Sequence, residues 1–156
     1  MGPDTFAATG DAMRFQRRIF GIPMHPLLVH FPITLWLAAF ALDGAALMGG
    51  SEPWWTMARW ATVAGVLIGA LAIATGLLEY IEPSVVGTNM RLAARHGTRT
   101  SLAWCAFVIK TLLVTAVSPV AAWLIGGALA LDLLGSILLV QGVFLGTKQI
   151  YEQLER

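Results

Sequence analysis

Four apolar runs dominate the chain: Leu27 to Met48, Trp60 to Tyr80, Thr100 to Val117, and Val120 to Gly146. Each is close to or above the roughly 20 residues that an α-helix needs to cross a hydrocarbon layer about 30 Å thick. The rest of the composition agrees, because only 12% of the 156 residues are charged while 57% are hydrophobic. A soluble domain of this size spends about 25% on charge, so lipid must be the solvent for most of this surface. Turn residues separate the runs: Gly49-Gly50-Ser51-Glu52-Pro53, Glu82-Pro83-Ser84 and Ser118-Pro119. Links this short make sequential helices antiparallel neighbours. The expected fold is an all-α, integral-membrane, up-down four-helix bundle over residues 21–148. A flexible or interfacial segment (residues 1–20) precedes it and a short cytoplasmic tail (149–156) follows.

Charge placement gives an orientation. Arg14, Arg17, Arg18, Arg91, Arg95, Arg99, Lys148 and Arg156 fall on one side of the spans and only Arg59 on the other. Cytoplasmic flanks carry the basic excess, so both termini are expected in the cytoplasm. Met13 to Phe20 alternates basic and apolar residues, as a segment lying in the interface does. A net charge of +1 excludes a general nucleic-acid surface. The single cysteine, Cys105, excludes an internal disulfide or a cysteine cage within one subunit. Hydrolytic chemistry has no footing: no serine stands in a G-x-S-x-G setting, and neither HExxH nor a phosphate-binding glycine loop occurs. Gly65 and Gly69, and Gly142 and Gly146, have the GxxxG spacing that lets helices approach closely, within one chain or in a homo-oligomer. No second copy of the histidine-bearing opening is legible in the other half.

Ionisable residues inside a span cost about 2.5 to 3.5 kcal/mol each on insertion scales and need a partner or a task. Asp43 and Lys110 lie at matching depth in the first and third spans, and Asp132 lies nearer the middle of the fourth. An ion pair of Lys110 with Asp43 or Asp132 is the expected arrangement, ahead of a proton or ion path. The carboxylate in excess is then protonated or bonded to Ser136, Thr111 or Thr115.

All three histidines, His25, His30 and His96, fall at the cytoplasmic ends of spans one and three, and Glu79 and Glu82 end span two on that side. In an up-down bundle, helices one and three lie on a diagonal and point the same way, so His30 and His96 are expected to face a shared object across the core. Five helical steps of about 100° set His25 and His30 roughly 140° apart, and Pro32 disturbs the turn between them. Either both converge through a kink, or His30 ligates while His25 supports it. Two imidazoles on facing helices suffice for a haem b. Arg91, Arg95 and Arg99, spaced by four around His96, could pair with its propionates, or anchor the helix to anionic lipid. Trp36, Trp104 and Phe107 could pack a macrocycle or simply fill the core. The alternative ligand is a bare metal ion held by His25, His30, His96 and Glu79.

The stretch His25-Pro26-Leu27-Leu28-Val29-His30-Phe31-Pro32-Ile33, followed by Asp43, then Thr75-Gly76-Leu77-Leu78-Glu79-Tyr80, then Arg91 to His96, resembles the bacterial membrane family called domain of unknown function 2231. The resemblance runs from Gly21 to Gly146, with Glu79 where an Asp is common, and its opening motif is the specific part. Members of that family occur fused or adjacent to Rieske iron–sulfur or c-type cytochrome domains, so the resemblance implies redox surroundings. Three functions are therefore expected to compete. One is a small b-type cytochrome exchanging electrons with quinone or a redox protein, with His30 and His96 as axial ligands and His25 auxiliary. Another is a non-haem metal-binding protein using the His/Glu cluster, and the last is a structural subunit of a larger membrane complex without cofactor.

Overall fold

The computed structural model describes residues 18–19, 22–49, 52–81, 89–116 and 122–154. Two-residue strands β1 (Arg18–Ile19) and β2 (Ile22–Pro23) pair antiparallel, Arg18 opposite Pro23. Four helices follow: α1 (Met24–Gly49), α2 (Glu52–Tyr80), α3 (Met90–Ala116) and α4 (Ala122–Leu154). The expected all-α four-helix bundle is the fold. The interfacial segment before Arg18 and the turn residues Gly50-Ser51, Glu82-Pro83-Ser84 and Ser118-Pro119 lie outside the described residues.

Three helix boundaries run past the apolar runs. Glu52 and Pro53 suit a first helical turn, and α2 begins there rather than at Trp60, with Thr56 Oγ1 donating to Glu52 Oε1 at 2.9 Å. Asn89 starts α3 ten residues ahead of the apolar run, its Oδ1 accepting from the Leu92 N–H at 3.2 Å as an N-cap does. Asn89 Nδ2 also donates to Glu152 Oε2 at 3.1 Å, tying the start of α3 to the end of α4. The fourth helix continues to Leu154, because Thr147 to Leu154 contains no glycine or proline to stop it. Pro26 sits in the first turn of α1, and the helix continues unbroken through a buried Pro32.

The helices α1 and α2 form one tight antiparallel hairpin and α3 and α4 a second, and the two meet along thinner α2–α3 and α1–α4 seams. By length and composition α1, α2 and Trp123–Glu152 of α4 can cross a membrane. At 27 residues α3 is as long as its neighbours, but it carries Arg91, Arg95, Arg99 and Lys110. Large apolar side chains such as Leu67, Leu112, Trp123 and Phe144 are exposed around the outside, the reverse of a soluble protein and the pattern lipid contact requires. The interior is narrow and built of small residues beside a few rings. One cluster joins Trp36, Ala103, Phe107 and Leu139; another, toward the hairpin turns, joins Ala46, Trp55, Val114, Leu124 and Ala128.

Candidate functional site

Three polar or aromatic layers stack along the bundle axis. The first stands at the end where α1 begins and α4 finishes. His25 on α1 donates from Nδ1 to the Ala72 carbonyl of α2 at 2.8 Å, and His96 on α3 donates from Nδ1 to the Gly142 carbonyl of α4 at 2.7 Å. A carbonyl oxygen can only accept, so both rings carry a proton on Nδ1, and in the neutral ring the lone pair then lies on Nε2. The two ring centres lie 6.4 Å apart with planes at 87°. Glycine makes this approach feasible: a Cβ at Gly76 would come within 2.7 Å of His25 Cε1, and one at Gly146 within 2.9 Å of His96 Nδ1.

The second layer is Trp36 on α1 stacked on Phe107 of α3, centres 4.3 Å apart and planes within 8°. Glycine again faces the rings. A Cβ at Gly65 would meet Trp36 Nε1 at 2.5 Å, and one at Gly135 would meet Phe107 Cε2 at 2.7 Å. Trp104, beside the stack, donates from Nε1 to the Val66 carbonyl at 2.9 Å across the α2–α3 seam, whereas the buried Trp36 Nε1 has no partner.

These two layers expose an internal repeat that the sequence conceals. His25 and His96 are 71 positions apart, as are Trp36 and Phe107; Ala72 and Gly142, Gly76 and Gly146, and Gly65 and Gly135 are each 70 apart. Each hairpin therefore carries the same device, a ring on its first helix set into a glycine-lined notch on its second. His96 with Gly142 and Gly146 repeats the contact that His25 makes with Ala72 and Gly76, although nothing else of the opening motif recurs around it.

The third layer is charged. Lys110 Nζ donates to Asp132 Oδ1 at 2.6 Å and Oδ2 at 2.8 Å, and lies 2.5 Å from Asp43 Oδ2 without the angles of a hydrogen bond. All three side chains are at most 1% exposed. Lys110 thus meets both carboxylates rather than one. None of the hydroxyls expected to assist does so: Thr111 donates to Phe107 O, Thr115 to Thr111 O and Leu112 O, and the buried Ser136 Oγ is unpartnered.

The remaining candidates are placed apart from the imidazole pair. His30 is exposed, its Nδ1 donating to Pro26 O of its own helix at 2.6 Å, so the histidine that faces His96 is His25 and not His30. The roughly 140° between them allows only one to point inward, and α1 turns His25 toward α2. Arg91, Arg95 and Arg99 are exposed and line an open groove on α3 with Leu102 and with Leu145 of α4. Arg95 sits about 100° around α3 from His96, which directs this stripe to the surface. Glu79 is half-buried with Oε1 unpartnered. The four-donor set of His25, His30, His96 and Glu79 is not assembled, and among the described residues no three of His, Cys, Asp or Glu gather as a metal cage. GxxxG spacing marks Gly142 and Gly146 as packing residues, but that Gly76 and Gly146 face the histidines and that Ala72 O and Gly142 O accept from them has no sequence signal beyond the recurrence of a glycine 50 or 51 positions after a histidine.

No curated protein and no solved structure matched the chain. The family model described as a predicted membrane protein, DUF2231, matches residues 21–153, nearly the whole bundle, and the chain belongs to that family.

Proposed function

We propose that this protein is a small b-type electron carrier of the membrane, in which His25 and His96 would hold a haem. The observation that carries the reading is their mutual geometry. A metal stands about 2 Å from an imidazole nitrogen, and the ring centre is roughly 1 Å further, so two rings that held one ion between them would have centres about 6 Å apart. The pair here is 6.4 Å apart. The donor chemistry fits as well, since each Nδ1–H is held by a backbone carbonyl, which fixes the ring's orientation and leaves Nε2 as the nitrogen that would meet the metal. His25 comes from one hairpin and His96 from the other, so the site belongs to the seam between them. A haem held there would supply reversible one-electron transfer. The chain's own part is to orient the rings, seat them against Gly76 and Gly146, and exclude water with the Trp36–Phe107 layer beneath.

Orientation follows the same reading. Arg91, Arg95, Arg99 and Lys148 lie at the imidazole end and Arg59 at the other, so that end faces the cytoplasm of a bacterial inner membrane, where a quinone or a redox protein would exchange electrons with it. The apolar part of α3 is then the fourth crossing, its one buried cation paired with Asp132 and Asp43.

A second reading rests on the same hydrogen bonds. His25 to Ala72 O and His96 to Gly142 O can serve as staples within each hairpin, with no cofactor, in a subunit of a larger complex. One experiment separates the two. Protein purified from haem-replete cells is expected to show a Soret band and sharp α and β bands on reduction. His25→Ala and His96→Ala should abolish these bands, and His30→Ala should leave them intact. Folded wild-type protein without a Soret band refutes the electron carrier and selects the staples.

A further inference from the structure

The charged layer does not balance. Two carboxylates and one ammonium leave one negative charge in excess, in an interior at most 1% exposed at each of the three side chains. No other charge is available to cancel it among the described residues packed around this layer. Thr62 of α2 is neutral and donates to Ala58 O, the Arg59 guanidinium lies over the Trp60 ring at 5.9 Å, and Glu52 is exposed. An uncompensated charge in a lipid-bounded interior is the costliest state open to this layer, so the excess must be titrated or matched.

The two acids meet the ammonium differently. Asp132 accepts from Lys110 at both of its oxygens. Asp43 touches the same ammonium through Oδ2 but forms no hydrogen bond there, and Ser136 Oγ, one helical turn from Asp132, is a second buried atom without a partner. Six residues separate Asp43 from the end of α1 at Gly49, and six separate Lys110 from the end of α3 at Ala116. The layer is therefore roughly 9 Å from the hairpin-turn end of the bundle. The imidazole pair is much further off: fourteen residues, or about 21 Å, part His96 from Lys110 along α3.

We propose that the Asp43–Lys110–Asp132 layer is a one-proton binding site, that the two carboxylates hold one proton between them, and that it exchanges with water at the hairpin-turn end. On release, the carboxyl O–H bond breaks, the proton passes to water, and both aspartates remain as carboxylates beside the Lys110 ammonium; uptake is the reverse. The proposal rests on the charged layer alone and stands whether or not the imidazoles hold haem.

Infrared spectra of the full chain in nanodiscs, in light and heavy water, test it. Wild type minus Asp43→Asn should show one deuterium-sensitive protonated-carboxyl component. Asp132→Asn should lose the same component, because Asp43 then ionises against Lys110, and Lys110→Met should gain a second. Thermal unfolding tests the sharing. Asn mimics a neutral acid, so Asp43→Asn and Asp132→Asn should each keep the wild-type midpoint, while the double variant, which strands Lys110, lowers it. Absence of the component in wild type overturns the site, and a midpoint loss in Asp43→Asn as large as in the double variant overturns the shared proton. A wild-type midpoint that rises with sodium or potassium but not choline, and does not in Asp43→Asn, shows a bound cation instead and also overturns it. Should Asp132→Asn not fold, wild type against Asp43→Asn alone decides.

Discussion

Adding one methyl group at Gly76 or Gly146 tests the ring-in-notch device directly. A Cβ at Gly76 would lie 2.7 Å from His25 Cε1 and 2.8 Å from its Nδ1, and one at Gly146 would lie 2.9 Å from His96 Nδ1 and 3.0 Å from Cε1. Carbon contacts settle near 3.5 to 4.0 Å, so each imidazole must retreat by roughly 1 Å. That retreat lengthens bonds now at 2.8 Å to Ala72 O and 2.7 Å to Gly142 O. Losing one such bond costs about 0.5 to 1.5 kcal/mol, and overpacking adds about 1 to 3. The better helix propensity of alanine returns up to about 1 kcal/mol. Each substitution is therefore expected to destabilise by about 1 to 3 kcal/mol in denaturant unfolding of the detergent-solubilised protein. Gly126→Ala is the control, since a Cβ there meets nothing within 4 Å; it should be neutral or slightly stabilising. If Gly76→Ala and Gly146→Ala are as harmless as Gly126→Ala, the rings do not rest against these glycines, and both the repeat and the imidazole pair lose their structural basis.

Two further predictions follow from the second layer and from α3. Trp36→Ala and Phe107→Ala should each cost about 3 to 5 kcal/mol. A double-mutant cycle should return a coupling of about 0.5 to 1.5 kcal/mol for the 4.3 Å stack, and a coupling of zero would remove it. Cys105 is exposed midway along α3 and is the chain's single thiol. Maleimides require a hydrated thiolate, so in intact membranes Cys105 should stay unlabelled until detergent or denaturant is added. Rapid labelling in sealed, untreated vesicles would show that α3 does not cross.

The architecture was legible because it depends on coarse signals. Run length and turn residues define four rods, and short links make them an up-down bundle whose first and third helices share a diagonal. On that diagonal His25 meets His96 and Trp36 meets Phe107. The meeting of Lys110 with an aspartate was legible from matching depths, though not that it takes both. What sequence did not determine was which histidine turns inward. Five residues separate His25 from His30, so one faces the core and the other does not, and the choice lies with the α2 residues that α1 packs against: Ala72 offers a carbonyl and Gly76 an empty notch. That register exists only after the helices dock. The polar start of α3 escaped notice for a related reason, since Arg91, Arg95 and Arg99 read as a flank until Asn89 is seen capping a helix that contains them.

The two kinds of layer divide the work of specifying the bundle. Lipid supplies little hydrophobic drive between helices, so close packing and polar contacts must select one arrangement. The imidazole and aromatic layers are two-fold symmetric and would fit nearly as well with the hairpins exchanged. The charged layer breaks that symmetry: the positions equivalent to Lys110, Asp132 and Asp43 in the other hairpin are Ala39, Thr62 and Val114, none of them ionisable. Lys110 joins α3 to α4 and α1 together, and a slip of one helical turn, about 5.4 Å, would strand its ammonium and both carboxylates in apolar surroundings. The helix it does not touch, α2, is held instead through its backbone, by His25 at Ala72 O and Trp104 at Val66 O. Every helix thus has a polar tie to a partner at a defined register, and a single asymmetric layer suffices to tell one half of a repeated bundle from the other.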